Sequence, residues 1–249
     1  MSPTIGTVAR LFIYPVKSMA GVSVEKAHVG INGLLGDRRY AFVRADQAAS
    51  NNFPWMTARQ AARMLLYRPR FEQPPTLEKE NQAVQVCTPE GTEHAVSDFA
   101  LREELASRFE QSLFLLNNGN GIFDCQHLSI FSLATARSLG EESGSEIDPR
   151  QFRANIYIEP ADGKPWEEDQ WVGKVVRIGN EVMAAITARD PRCMMINLNP
   201  DTILQDARVL RAVAQRHEGQ IGVYANVVRG GLVKVGDALT IRAISELGD

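Results

Sequence analysis

The chain has 249 residues, 44% apolar and 23% charged, with 27 basic and 30 acidic side chains and a formal charge of −3. That length supports one large domain or two modest ones with a sizeable core, and the near-balance of charge argues against a generic nucleic-acid or anionic-membrane surface while leaving room for a local basic pocket. No run approaches the roughly 18 to 20 apolar residues of a membrane span. The N-terminus lacks the basic start, apolar run and small-residue cleavage site of a signal peptide, so the cytoplasm is the expected compartment.

In chain order, β-formers predict strands over residues 5–16, over 22–24 with 28–31, over 40–43, over 65–67 and over 83–87, with Pro69, Pro74, Pro75 and Pro89 between them. A helix follows, capped by Ser97 and carrying Phe99, Leu101, Leu105 and Phe109 on a helical period. Strand character returns over 113–116. A second helix is expected over 129–139, stopped by Gly140. Residues 153–159 alternate as a strand, 172–178 and 182–187 read as a strand pair, and a last helix covers 205–217. A β-rich tail over 221–241 turns at Gly230-Gly231. Many short strands with Gly/Pro turns predict a barrel or sandwich, a mainly β chain with a few helices of the α+β class. There is no internal repeat and no low-complexity linker. The expected seam lies near residues 97–125.

Three cysteines stand far apart at 87, 125 and 193, without a CxxC pair, an HExxH motif or Cys/His zinc spacing. An odd, scattered set is not a disulfide framework, and a lone cysteine is most often a buried small hydrophobe, the expectation for Cys87 and Cys125. Cys193 differs in its neighbours, because Arg189 and Arg192 favour the thiolate that attacks electrophiles or binds soft metals. One cysteine cannot hold a bare ion, so a metal here has to arrive chelated by an organic ligand; a nucleophilic cysteine is the other option. No histidine is spaced as a base for it.

Four segments suit neither plain core nor plain surface: Tyr14-Pro15-Val16-Lys17-Ser18, Gly36-Asp37-Arg38-Arg39-Tyr40, Phe152-Arg153-Ala154-Asn155-Ile156 and Thr187-Ala188-Arg189-Asp190-Pro191-Arg192-Cys193. Singly, each has an ordinary reading as a surface pair or a solvated strand end. Together they offer a lysine, several guanidiniums, an amide and a thiol at strand ends, with Arg153 and Asn155 on one face of their expected strand. That set suits an anionic, planar ligand with many acceptors.

Residues 5–43, IGTVARLFIYPVKSMAGVSVEKAHVGINGLLGDRRYAFV, together with MTARQ at 56–60, resemble the N-terminal β-barrel domain that precedes MOSC domains. FRANIYIE at 152–159, RCMMINLNPDT at 192–202 and IGVYANVVRGGLVKVGDALTI near the end resemble the MOSC domain itself. The whole is similar to the two-domain architecture of the amidoxime-reducing components and their bacterial relatives, which implies an N-terminal barrel-like domain over 1–100 packed on a MOSC β-barrel domain with peripheral helices over 101–249.

The resemblance implies a molybdenum cofactor (molybdopterin) whose metal takes Cys193 as ligand and catalytic group. Lys17 and Ser18 match the family's phosphate-binding pair, Arg38 the cofactor-facing arginine after GD, with Arg39 beside it. Arg153 and Asn155 match the pterin-holding pair, although Ala154 replaces the common proline. Ser132, Thr135 and Arg192 complete the implied cofactor set. The implied activity is reduction of N-hydroxylated or N-oxide small molecules with electrons from a separate ferredoxin, flavoprotein or cytochrome, since no ferredoxin-type cysteine-rich extension is present. The approach to the cysteine, Arg189-Asp190-Pro191, is longer than in the amidoxime reducers. The second implied role is that of a cofactor carrier or sulfur-transfer module, because MOSC domains also end the molybdenum-cofactor sulfurases. A cysteine-based binding protein without metal is a third.

Overall fold

A computed structural model describes residues 3–49, 54–79 and 82–242, the side chain of Arg242 excepted. Its strands are β1 (Thr4–Ile13), β2 (Val22–Val24), β3 (Lys26–Gly30), β4 (Gly33–Leu34), β5 (Tyr40–Arg44), β6 (Arg68–Phe71), β7 (Val84–Cys87), β8 (Glu93–Ala95), β9 (Leu113–Asn117), β10 (Leu128–Ser132), β11 (Ile156–Pro160), β12 (Val175–Ile178), β13 (Val182–Pro191), β14 (Gln220–Arg229), β15 (Gly231–Lys234) and β16 (Ala238–Arg242). Among the described residues three α-helices accompany them: α1 (Phe99–Phe109), α2 (Leu133–Ser143) and α3 (Ala207–Arg216). The α+β, mainly β expectation holds.

The dominant element is a closed seven-stranded barrel in the order β11-β10-β14-β13-β12-β16-β1, with β1 pairing back onto β11. Closure removes the unpaired edges that an open sheet has to protect. Every neighbour is antiparallel except β10–β11. β1 is therefore a stave of a barrel otherwise built from the C-terminal half of the chain. Gly6 permits that pairing, because a Cβ there would stand 2.8 Å from the Glu159 carbonyl oxygen. Inward residues such as Val8, Leu11, Ile130, Ile158, Val176 and Val223 are essentially inaccessible and fill the barrel.

After Val8 the register of β1 shifts, and Leu11, Phe12 and Ile13 are all buried. Alternation is lost because the outward-facing Phe12 is covered as well, packed against Tyr14 and Tyr157 in an apolar cluster outside the barrel. A second core gathers Val16, Met19, Phe42, Met64, Tyr67 and Leu101 beneath the β5–β9 pair, the β6–β7–β8 sheet and α1. A third packs α2 and α3 on the barrel wall through Phe131, Leu139, Phe152, Tyr157, Val209 and Val213.

Several expected boundaries move, each for a local reason. Residues 65–67 are not a strand: Ala62–Leu66 is a 3-10 turn and the strand begins at Arg68. Pro69 is accommodated because β6 pairs on one side only, with β7. Asp98, not Ser97, is the N-cap of α1. The helix expected over 129–139 begins later, since Leu128–Ser132 is a strand buried along its whole length between β11 and β14. A strand buried on both faces shows no alternation, so its apolar run reads in sequence as part of the helix behind it. That helix runs through Gly140 and stops at Gly144, which takes the left-handed φ of +62°. Strand β13 continues to Pro191, past bulges near Ala188 and Pro191, so residues 187–191 are strand rather than loop.

Candidate functional site

Where β1 leaves the barrel it passes into Tyr14-Pro15-Val16-Lys17-Ser18, and this segment faces the junction of β10, β11 and β13. A cavity of about 280 Å³ lies between them, lined among others by Lys17, Ser18, Arg38, Arg153, Asn155 and Cys193. Residues from widely separated segments thus converge on one cleft, a common place for ligands. Ser18, Arg38 and Arg153 all adopt left-handed φ, of 68°, 50° and 53°. They are three of the seven non-glycine residues with positive φ among those described. Such conformations are uncommon for residues with a Cβ, and their concentration here marks a site whose side-chain directions are imposed by its surroundings.

Arg153 is not on a strand, contrary to the expectation from alternation. Residues Pro149–Phe152 form a single 3-10 turn with an Asp148–Gln151 capping box, and Arg153 ends it in the left-handed region, so β11 starts only at Ile156. The guanidinium lies 4.4 Å from the Tyr14 ring centroid and donates to the Met19 carbonyl at 2.7 Å. No carboxylate stands within ion-pair distance of it among the described residues. Burial, with the charge of Arg38 nearby, lowers it to about 10.

Arg38 is held differently. It pairs with the buried carboxylate of Asp37, donates to the Arg153 carbonyl at 3.0 Å, and stacks over Tyr14 and Phe123. Lys17 is 6% exposed and donates to the Ile122 carbonyl at 3.2 Å, with the half-exposed Asp124 carboxylate 2.7 Å away. Burial lowers it to about 8, against Asp124, which raises it; Arg38 and Arg153 lower it further. Arg38, itself held charged by Asp37, thus lowers both Lys17 and Arg153, and a partly buried cleft with this balance of charge gains from an incoming anion.

Asn155 serves as a junction. Its Nδ2 donates to Asp37 Oδ2 at 3.0 Å and to the Phe12 carbonyl at 3.3 Å, while its Oδ1 accepts from the Ser129 amide and hydroxyl at 3.2 Å. Asp37 also accepts from the Tyr14 amide at 2.7 Å. Arg192 is similarly committed, to the Ile221 and Phe152 carbonyls at 2.8 Å and to Asp190 at 2.8 Å. Asp190 is 3% exposed, and its burial raises its pKa, with Arg192 opposing. Arg189, expected to flank the thiol, instead pairs with Asp169 and Glu218.

Cys193 is exposed, lines the cavity and caps the 3-10 turn Met194–Asn197. Cys125 is exposed too and lines the same cavity, so it is not a buried hydrophobe; Cys87 is half-buried on β7. Ser132 and Thr135 lie outside the cavity lining, both fully buried at the start of α2. The Ser132 hydroxyl caps the Thr135 amide, and Glu168 accepts from the Ser132 amide at 3.3 Å and the Thr135 hydroxyl at 3.0 Å. Burial pushes Glu168 up to about 7. Arg39 is also absent from the lining; its carbonyl accepts from Asn118, and its guanidinium lies beside Gly119.

Sequence reasoning missed several groups in or behind the lining. Asp37 and Tyr14 sit inside singled-out segments, yet nothing in those segments shows that they hold the arginines. Thr57 and Arg59 lie in the MTARQ stretch, and Asp124 and Cys125 in a loop without any motif. No group of three or more His, Cys, Asp or Glu side chains placed to hold a metal ion occurs among the described residues. A metal here depends on a carrier ligand. The donor set suits one: cations without enough internal counter-charge at one part of the cleft and an exposed thiol at another.

A family model described as the MOSC domain matches residues 117–240, and one described as the MOSC N-terminal beta barrel domain matches residues 5–122. The chain is 26% identical over 288 residues to mitochondrial amidoxime reducing component 2 of Bos taurus, covering 94% of this chain and 82% of that protein. It is 26% identical over 243 residues to mitochondrial amidoxime-reducing component 1 of Mus musculus, covering 82% and 69%. Among solved structures, the YuaD protein from Bacillus subtilis is similar with a TM-score of 0.51 and 14% identity, covering 98% of this chain and 99% of that one, a likeness of fold alone.

Proposed function

The chain belongs to the MOSC-domain family, with the family's N-terminal β-barrel domain ahead of the MOSC domain, and from that premise we propose that it is a molybdenum-cofactor-binding oxidoreductase reducing N-hydroxylated or N-oxide compounds with electrons from a separate donor protein. The observation that carries this reading is the pairing, in one cavity, of an under-neutralised cation cradle with the exposed thiol of Cys193. Lys17, Arg38 and Arg153 supply charge-assisted donors for an anionic group, with Ser18 at the same wall. Cys193 supplies a soft thiolate ligand. Bound there, the cofactor supplies redox chemistry at its metal, while the protein anchors it, orients it and shapes the approach. The MOSC family's association with the molybdenum cofactor and the similarity to amidoxime reducing components favour this assignment.

The second reading, a cofactor carrier or sulfur-transfer module, is favoured by one observation: Cys125 brings a second exposed thiol to the cavity of Cys193. The test is to purify the protein from a cofactor-competent host, measure molybdenum and pterin, and assay reduction of benzamidoxime with an artificial donor. Stoichiometric molybdenum with turnover is the expected result. Molybdenum without turnover leaves the carrier reading, and absence of both removes the cofactor assignment.

A further inference from the structure

On the other side of Arg153 lies a second cavity, of about 380 Å³, which shares only Gln151, Arg153 and Met195 with the first. We infer that this cavity is a separate binding site for a flat aromatic carboxylate, its ring against Phe12 and Tyr14 and its anionic group between Arg68 and Arg153. The volume falls in the range of small-molecule sites, roughly 300 to 1,000 Å³.

The shape of the lining selects a ring. Phe12 and Tyr14 line one wall with near-parallel rings, 24° apart with centroids at 6.2 Å, and Leu65, Met195, Leu198 and Pro200 close the apolar remainder. Gly21 packs against the Tyr14 ring, where a Cβ would come within 2.5 Å, so the wall stays flat at that point. Offset stacking and burial of an aromatic body are the interactions such walls provide.

The charge selects an anion. Three guanidiniums line the cavity, those of Arg68, Arg150 and Arg153, against one carboxylate, Asp201. Asp201 is already gripped through both oxygens by Arg150, whose remaining donors hold Asp148. That pair is internally satisfied. Arg68 reaches Asp201 only at 3.8 Å, beyond hydrogen-bonding distance, so its donors are unspent. Arg153 uses one nitrogen on Met19 and faces no carboxylate among the described residues. A cationic amidine would meet net positive charge here, whereas a carboxylate meets two guanidiniums with open donors.

The test uses the purified full chain with its cofactor content measured, titrated by calorimetry with 2-naphthoate, neutral 2-naphthol and cationic 2-naphthamidine. The expected order places naphthoate tightest. Arg68→Ala weakens naphthoate about tenfold, Ser23→Trp, which fills the cavity from the exposed β2 position, abolishes it, and both keep the wild-type molybdenum content and melting temperature. Arg153→Ala weakens naphthoate and lowers cofactor retention together, because it borders both cavities. No detectable naphthoate binding, amidine binding as tight as naphthoate, or naphthoate binding that survives both Arg68→Ala and Ser23→Trp overturns the proposal.

Discussion

The Asn155 amide donates to Asp37 at 3.0 Å, joining the start of β11 to the turn that carries Arg38, 118 residues away in sequence. Through this bond the barrel and the N-terminal segment fix each other's contribution to the cleft. Asp37 orients Arg38, and Asn155 also satisfies Ser129 and Phe12.

Asn155→Ala therefore leaves buried partners unpaired on both sides, and each costs about 1 to 3 kcal/mol. Urea unfolding at neutral pH should show a loss of at least about 2 kcal/mol, with lowered molybdenum retention. Asn155→Asp should be worse at pH 7, because it sets a second carboxylate against Asp37, and the gap between the two variants should narrow as pH falls toward 4. Equal stability of the variants across that range would contradict the junction.

Much of this arrangement is legible in the sequence, and what is not has physical causes. Lys17, Ser18, Arg38, Arg153, Asn155, Arg192 and Cys193 are marked by polar groups at strand ends and by family motifs, and all seven line one cavity. Their bonding is not legible. Asn155 and Arg192 spend most of their donors on the protein, a fact set by partners tens to over a hundred residues distant. Ser132 and Thr135 belong to a hydroxyl-rich stretch whose partner, Glu168, comes from another segment. Cys125 sits in a loop without periodicity, so composition alone cannot tell an exposed thiol from a buried one. The seven-stranded closure is hidden as well, because β1 is separated from its neighbours β11 and β16 by most of the chain.

The second prediction concerns pH and anion affinity. Lys17 is lowered to about 8 by burial and neighbouring cations, and a bound anion favours its charged form. Affinity should hold steady below pH 8 and fall by up to tenfold per pH unit above it, since binding then requires proton uptake. Sulfate, whose own charge is constant there, is a suitable probe by calorimetry from pH 6.5 to 9.5. Lys17→Ala should bind more weakly at pH 7 and lose the decline above pH 8. An unchanged decline in that variant would assign the titration elsewhere.

Glu168 makes a prediction about stability. Burial raises it to about 7 in the folded protein from the ordinary value of 4.5. The folded chain thus holds this proton to higher pH than the unfolded chain. Its contribution is fully present below about pH 4.5, is lost as pH rises to about 7, and is flat beyond. At ~1.4 kcal/mol per tenfold in proton affinity the loss amounts to about 3 kcal/mol. Glu168→Gln keeps an acceptor for the Ser132 amide without a charge, and should stabilise the protein at pH 8 while changing little at pH 5. Urea unfolding at both values is the measurement; a destabilised variant at pH 8 would mean that the ionised carboxylate is better satisfied than its burial implies.

The three cysteines separate the two functional readings. Cys193→Ser keeps nearly the same shape, but a hydroxyl stays protonated at neutral pH and is a harder, poorer ligand than a thiolate. Because the cations lie on other segments, cofactor should persist while benzamidoxime turnover falls by at least about a hundredfold and the optical spectrum changes. Cys87 lies half-buried on β7, outside the cavity lining, so Cys87→Ser should match the wild type. Cys125 is the informative position. If Cys193 acts alone as ligand, Cys125→Ser retains turnover, its exposed side chain being only part of the wall. If the cavity moves sulfur between two thiols, Cys125→Ser should instead abolish transfer from a persulfide donor, read as loss of cyanolysable sulfur on Cys193. Wild-type turnover and spectrum in Cys193→Ser would remove the thiolate from the reaction under either reading.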